Sequence, residues 1–357
     1  MKIKTLALVS GILVLLAVAA LAVNRWMDDA GSKGRIGQPL MAGVEPSNVA
    51  RIEVVTAEHT VNLNTKDGVV WTVAEQQDFP VDTKKIKNLF VKLTSVKLAH
   101  EVTRNADKLA DLGLLTAEEN DGKREQDKTG KRVSVYGKDG KPLFRLLIGK
   151  DRRGQGGMSF GGVYVRHPEQ STAYLISDAL LTEQRPQDWI DTVVLDVEAD
   201  QTLQAVRVRR AGQRPVELSH EQEGAPWAVA GMPPAQVDQD AVKRVINQLG
   251  GLDVFKVAAG DADPKELGRA KVGQVEFTFF DKRRFTMEVG EAKAPDDFRY
   301  LSIRAHLDPA VDDAKLKDWV RSFNERFAGR LLGVYDWDGS RMLQGFEEYR
   351  KKADKKQ

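Results

Sequence analysis

Two stretches of this chain can be laid on each other without a gap. "WTVAEQQDFPVDTKKIKNLFVKL" runs from Trp71 to Leu93, and "WAVAGMPPAQVDQDAVKRVINQL" runs from Trp227 to Leu249. Trp71 and Trp227, Asp82 and Asp238, and Leu93 and Leu249 are each 156 positions apart. A tandem duplication of this kind narrows the fold sharply, because one architecture must satisfy both halves of the chain.

Alternating apolar residues precede each Trp: Ile52, Val54, Val61 and Leu63 in one half, Val206, Val208, Val216 and Leu218 in the other. That period of two marks half-buried strands. Asp82 and Asp238 stand where a helix begins, and a carboxylate there accepts from the free amides of the first turn. Ile86, Leu89, Phe90 and Leu93 then follow helical spacing, as do Val242, Val245, Ile246 and Leu249. "ADKLADLGL" and "ADPKELGRA" form short turns stopped by Gly113 and Gly268. Antiparallel hairpins follow, ending at Gly149 and Gly290. A helix is expected to close each copy around Trp189 or Trp319, although these two lie at different distances from the preceding Gly.

The pattern predicts an α+β fold: two tandem repeats of a mainly antiparallel sheet with an amphipathic helix, over residues 44–200 and 201–345. Strands that pair as hairpins exclude a doubly wound parallel sheet. A charged tail, 346–357, completes the chain.

Before the repeats lies "MKIKTLALVSGILVLLAVAALAVNRW", in which residues Leu6 to Val23 carry no charge. As a helix this run spans about 27 Å, close to the hydrocarbon thickness of a bilayer. Lys2 and Lys4 precede it, and Trp26, Asp28 and Asp29 follow. Residues 1–26 are therefore read as a transmembrane anchor, with the N-terminus cytoplasmic and the body outside. A cleaved signal peptide is the competing reading, since Ala20-Leu21-Ala22 resembles a cleavage site. Residues 27–43, rich in Gly, Asp, Lys and Pro, are expected to form a flexible tether.

Several chemistries lack support. Lys plus Arg number 54 against 52 for Asp plus Glu, a net charge of +2, which does not suit a dedicated nucleic-acid binder. With no cysteine there is no disulfide and no thiolate site. His59, His100, His167, His220 and His306 are scattered, without metal-ligand spacing, so neither metal nor cofactor is expected. The acid pairs Glu118-Glu119, Asp296-Asp297 and Asp312-Asp313 lie in polar contexts where solvated charge is the plain reading. The Gly-rich stretch Gly149–Gly162 has no following Lys-Ser or Lys-Thr and lies between strands, which makes it a loop and not a phosphate cradle. Its Arg152, Arg153, Met158 and Phe160 are the residues best suited to touch a partner.

The order of Trp71, Val81-Asp82, Leu112-Gly113-Leu114, Ile148-Gly149-Lys150 and Val163-Tyr164-Val165 resembles the bacterial family called domain of unknown function 4340. The second copy departs from that pattern: Leu114 becomes Arg269 and Lys150 becomes Glu291. The resemblance implies an inner-membrane, single-pass protein with an extracytoplasmic (periplasmic) body, accessory to an ABC-type transporter or envelope complex. It supplies no catalytic residue. A non-enzymatic interaction protein is thus the leading expectation. A binding module for an envelope glycan, lipid or other ligand in the cleft between the repeats is the alternative, and a cryptic hydrolase stands third.

Overall fold

The computed structural model describes residues 35–153, 160–180, 183–195, 202–292 and 298–352. The chain divides into two units, the first ending at Ile190 and the second beginning at Asp191. Each is α+β and mainly antiparallel. Among the described residues no helix is long and apolar enough to cross a membrane; the apolar run Leu6–Val23 lies outside them.

In the first unit the strands are β1 (Val49–Val55), β2 (Thr60–Thr65), β3 (Trp71–Val73), β4 (Phe79–Pro80), β5 (His100–Thr103), β6 (Lys131–Gly137), β7 (Pro142–Arg153), β8 (Phe160–Arg166) and β9 (Ala173–Ile176), with helix α1 (Thr83–Ser95) after β4. The sheet order is β4-β3-β2-β1-β6-β7-β8-β9-β5. Ile52, Val54, Val61, Leu63, Val133 and Val135 turn inward and are fully buried. Asp82 accepts from the Lys84 amide at 2.9 Å to start α1, and Phe90 of that helix meets the Trp71 ring edge-on at 6.2 Å.

The second unit repeats this plan. Its strands are β10 (Leu203–Arg209), β11 (Val216–Ser219), β12 (Ala228–Val229), β13 (Lys256–Ala259), β14 (Gly273–Phe279), β15 (Arg283–Val289), β16 (Phe298–Leu307) and β17 (Arg330–Tyr335). Helix α2 (Gln239–Gly250) matches α1, and the order β12-β11-β10-β14-β15-β16-β17-β13 matches that of the first sheet strand for strand, without a partner for β4. Asp238 caps α2 through the amides of Asp240 and Ala241. Val242, Val245, Ile246 and Leu249 are buried on one helix face, each contributing about 1.5–3 kcal/mol relative to exposure.

The second unit also departs from the first. Helix α3 (Ala314–Phe327) is inserted between β16 and β17, where β8 and β9 are joined by a short turn. Strand β17 pairs with β16 only over Phe298–Leu301, so the rest of β16 would present a bare edge. The Asn324 carboxamide covers it, accepting from the Ala305 amide at 2.8 Å and donating to the Ala305 carbonyl at 2.9 Å. Such cover is needed because an open strand edge invites pairing with another chain. Trp319 and Phe323 of α3 meet the core ring of Phe285 edge-on, at 5.8 and 5.2 Å.

Four sequence expectations change here. Trp319 does not correspond to Trp189, and neither sits in a closing helix. Trp189 follows a 3-10 turn (Pro186–Asp188), and its carbonyl accepts from the Asp82 amide at 2.9 Å. In the second unit the Tyr349 carbonyl accepts from the Asp238 amide at 2.8 Å, again within a 3-10 turn, Phe346–Tyr349. Trp189 and Tyr349 are therefore the equivalent pair, both 0% exposed. Second, the charged tail begins after this turn: residues 346–350 belong to the second core. Third, the tether ends early. The amides of Leu40 and Met41 donate to the carbonyls of Val96 and Leu93 at the end of α1, and Met41 is 3% exposed. These bonds satisfy carbonyls that the helix end leaves free. Fourth, the first repeat stops short of residue 200. Val194 donates to Leu252 and Val254 to Thr192, which ties 191–195 to the second unit.

Candidate functional site

Strand register sorts the second sheet into an inner and an outer face. Val206, Phe277, Phe285 and Ala305 lie side by side across β10, β14, β15 and β16, and all are buried. One residue along, Arg207, Glu276, Thr286 and Arg304 form a row on the opposite face. Arg209, Gln274, Glu288 and Ser302 form the next. These two polar rows floor a groove of about 990 Å³, walled by Arg269 and by Arg321, Asn324, Glu325 and Arg330 of α3 and its exit.

The groove is electropositive: Arg207, Arg209, Arg269, Arg304, Arg321 and Arg330 line it against Glu276, Glu288 and Glu325. Arg207 pairs with Glu217 at 2.9 Å, Arg269 with Glu288 at 3.0 Å, and Arg321 with Asp318 at 2.9 Å. Among the described residues no carboxylate pairs with Arg209 or Arg304, and both are exposed. The adjoining His306, whose ring lies 3.2 Å from the Thr286 hydroxyl, is held below the usual histidine range by burial and by the nearby charges of Arg284 and Arg304.

The same outer face carries Phe298, Tyr300 and Tyr335 at its other end. Tyr335 stacks on Phe298 at 5.1 Å and on Trp337 at 4.1 Å. Trp337, in helix α4 (Asp336–Met342), is 54% exposed.

In the first unit the equivalent face is covered. The link between β5 and β6, Arg104–Gly130, folds over it, whereas the link between β13 and β14 is only Gly260–Val272. Leu109 and Leu114 of the longer link pack on Leu147 and Ala173. Arg166, 2% exposed, lies beneath: it donates to the carbonyls of Leu114 (3.0 Å) and Gln170 (2.8 Å) and to the Glu119 carboxylate. Counting back from Gly149 and Gly290, Leu147 and Glu288 hold the same register position. Leu114 and Arg269 match in turn, because both follow the left-handed Gly113 or Gly268 and donate five residues back. An apolar contact in the first copy has become an ion pair in the second.

The eight repeat markers serve this framework. Trp71 and Trp227 are buried; Asp82 and Asp238 are caps; Gly113 and Gly268 have φ of 67°. A Cβ on Gly149 would stand 2.4 Å from the Leu112 carbonyl oxygen, and one on Gly290 would stand 2.9 Å from that of Gly268. Gly149→Ala is expected to destabilise the first unit by about 1–3 kcal/mol, read as a lowered denaturant midpoint.

Of the residues singled out for partner contact, Arg152 and Arg153 are exposed at the end of β7, and the Arg153 backbone pairs with that of Phe160. Met158 lies outside the described residues. Neither Arg152 nor Arg153 lines the groove. Its arginines escaped the sequence reading, although Arg207 and Arg209 in "VRVRR" do alternate with buried valines.

The acid pair Glu118-Glu119 offers no divided acid and base. Glu118 is held below the usual range by hydrogen bonding to its own amide and to the Thr116 hydroxyl. Burial pushes Glu119 up, but hydrogen bonds from Arg166 and the Thr116 amide prevail and leave it low as well. Acid–base work needs the two pushed apart. Asp312 pairs with Lys317 at 2.8 Å, and Asp313 caps α3. Asp296 and Asp297 lie outside the described residues. Asp338 is raised by burial, but it does not line the groove. Among the described residues no three His, Asp or Glu side chains cluster as metal ligands would.

The family described as "Domain of unknown function (DUF4340)" matches residues 71–272, more than half of the chain. The chain belongs to this family. The match runs from the Trp of the first copy through the capped helix and short link of the second. No curated protein and no solved structure matches the chain.

Proposed function

We propose that this chain is a non-catalytic interaction protein of a bacterial inner membrane. The apolar run Leu6–Val23 inserts with the N-terminus in the cytoplasm, and both units stand outside it. The partner is a component of an ABC-type transporter or another envelope complex. One observation carries the reading: the outer face of the second sheet combines two arginines that have no acid partner among the described residues with an exposed Trp stacked on Tyr. Arg, Trp and Tyr are the residues that dominate binding energy at protein interfaces. A membrane anchor makes such a face effective, since it raises the local concentration of any partner in the same bilayer.

The test is photo-crosslinking in intact membranes from a probe placed at Ser302 on the groove floor, with a second probe at Arg152 for comparison. A discrete adduct with an envelope or transporter component, formed from Ser302, is the expected result. Recovery of the intact chain from the cytosol, or absence of any adduct from either position, overturns the reading.

A further inference from the structure

The two copies differ in what lies on the outer face of the sheet, and the difference identifies what the open one accepts. In the first copy the occupant is polypeptide. The Arg104–Gly130 link lies across the row Arg132, Leu147, Arg166, and it offers Arg166 a carboxylate from Glu119 and a backbone carbonyl from Leu114. In the second copy the link is shortened and the groove stays open; the matching row reads Arg209, Gln274, Glu288, Ser302, and the one beside it Arg207, Glu276, Thr286, Arg304.

We infer that the groove over β10, β14, β15 and β16 binds an acidic segment of another polypeptide, laid where the first copy lays its own chain. This assignment rests on the interaction reading above. Charge complementarity supports it: Arg209 and Arg304 await carboxylates, as Arg166 has in Glu119. The mixed signs of the lining also select polypeptide over other anions. The Glu276 and Glu325 carboxylates can accept from backbone amides, which a peptide has and a phosphate polymer lacks. Against a uniformly charged polyanion the same two carboxylates are repulsive, and like-charge contacts are what exclude wrong partners.

The full chain in detergent micelles is titrated into a fluorescent ten-residue peptide of alternating Glu and Ala, and separately into its Gln-Ala counterpart. Binding of the Glu peptide is expected, roughly tenfold weaker for the Gln peptide, weakened by salt, and weakened roughly tenfold again by Arg209→Glu combined with Arg304→Glu. Thr286→Trp, which fills the groove without altering charge, should abolish binding, while Lys87→Glu, at an exposed position of α1, should not. Unchanged circular dichroism of each variant shows that it has folded. The inference is overturned if neither groove variant alters binding, or if the Glu peptide does not bind. It also falls if inorganic polyphosphate or double-stranded DNA binds as tightly with the same arginine dependence. Should the Ser302 probe still capture its membrane partner in any of these cases, the acidic-segment assignment fails and the interaction role stands.

Discussion

Tyr349→Ala is expected to lower the stability of the second unit by about 3–5 kcal/mol. The ring is fully buried, at the position Trp189 fills in the first unit, and its removal opens a cavity beside the start of α2. Tyr349→Phe is expected to be neutral or stabilising, because the Tyr349 hydroxyl is buried without a hydrogen-bond partner and burial pushes it up, well above the ordinary tyrosine value. Urea unfolding of the two variants checks both statements. Losing little stability in the alanine variant would return residues 346–350 to the solvent.

The second large effect belongs to Arg166. Arg166→Met is expected to cost the first unit about 3–5 kcal/mol, since it strips the carbonyls of Leu114 and Gln170 of a donor and Glu119 of its partner. The link over the outer face should loosen at the same time, visible as faster amide exchange around Leu115–Gly130. The ion pair also makes stability depend on pH. Glu119 sits below its ordinary value of 4.5 in the folded chain, so the unfolded chain takes up the proton first as pH falls. Its contribution is complete above that ordinary value and disappears as pH drops through the lower, folded one. Acid titration of the parent and of Glu119→Gln should therefore diverge above pH 4.5 and converge below it.

Much of this architecture was legible where apolar residues keep a regular period. α1 and α2, the β6–β7 and β14–β15 hairpins and both Asp caps follow from spacing and capping chemistry alone. Strand β17 did not stand out because "RLLGVY" is buried at four consecutive positions, which removes the alternation that marks a strand. Its displacement by α3 hid the match to β9 as well. Tyr349 was obscured by "EEYRKK", where one aromatic stands among charges. The groove was further from reach, since it arises from a short link and a register, and neither belongs to any single residue. Arg207 and Arg304 are far apart in sequence and share a row only once four strands have paired.

The exchange of Leu114 and Leu147 for Arg269 and Glu288 matters for a polypeptide that must form two sibling sheets in succession. Were the first link to settle on the second sheet during synthesis, a leucine would cover the Glu288 carboxylate and leave it unanswered. The reverse error would press the Arg269 guanidinium into a leucine nest. Each mispairing leaves a charge without its partner, so the two links are not interchangeable.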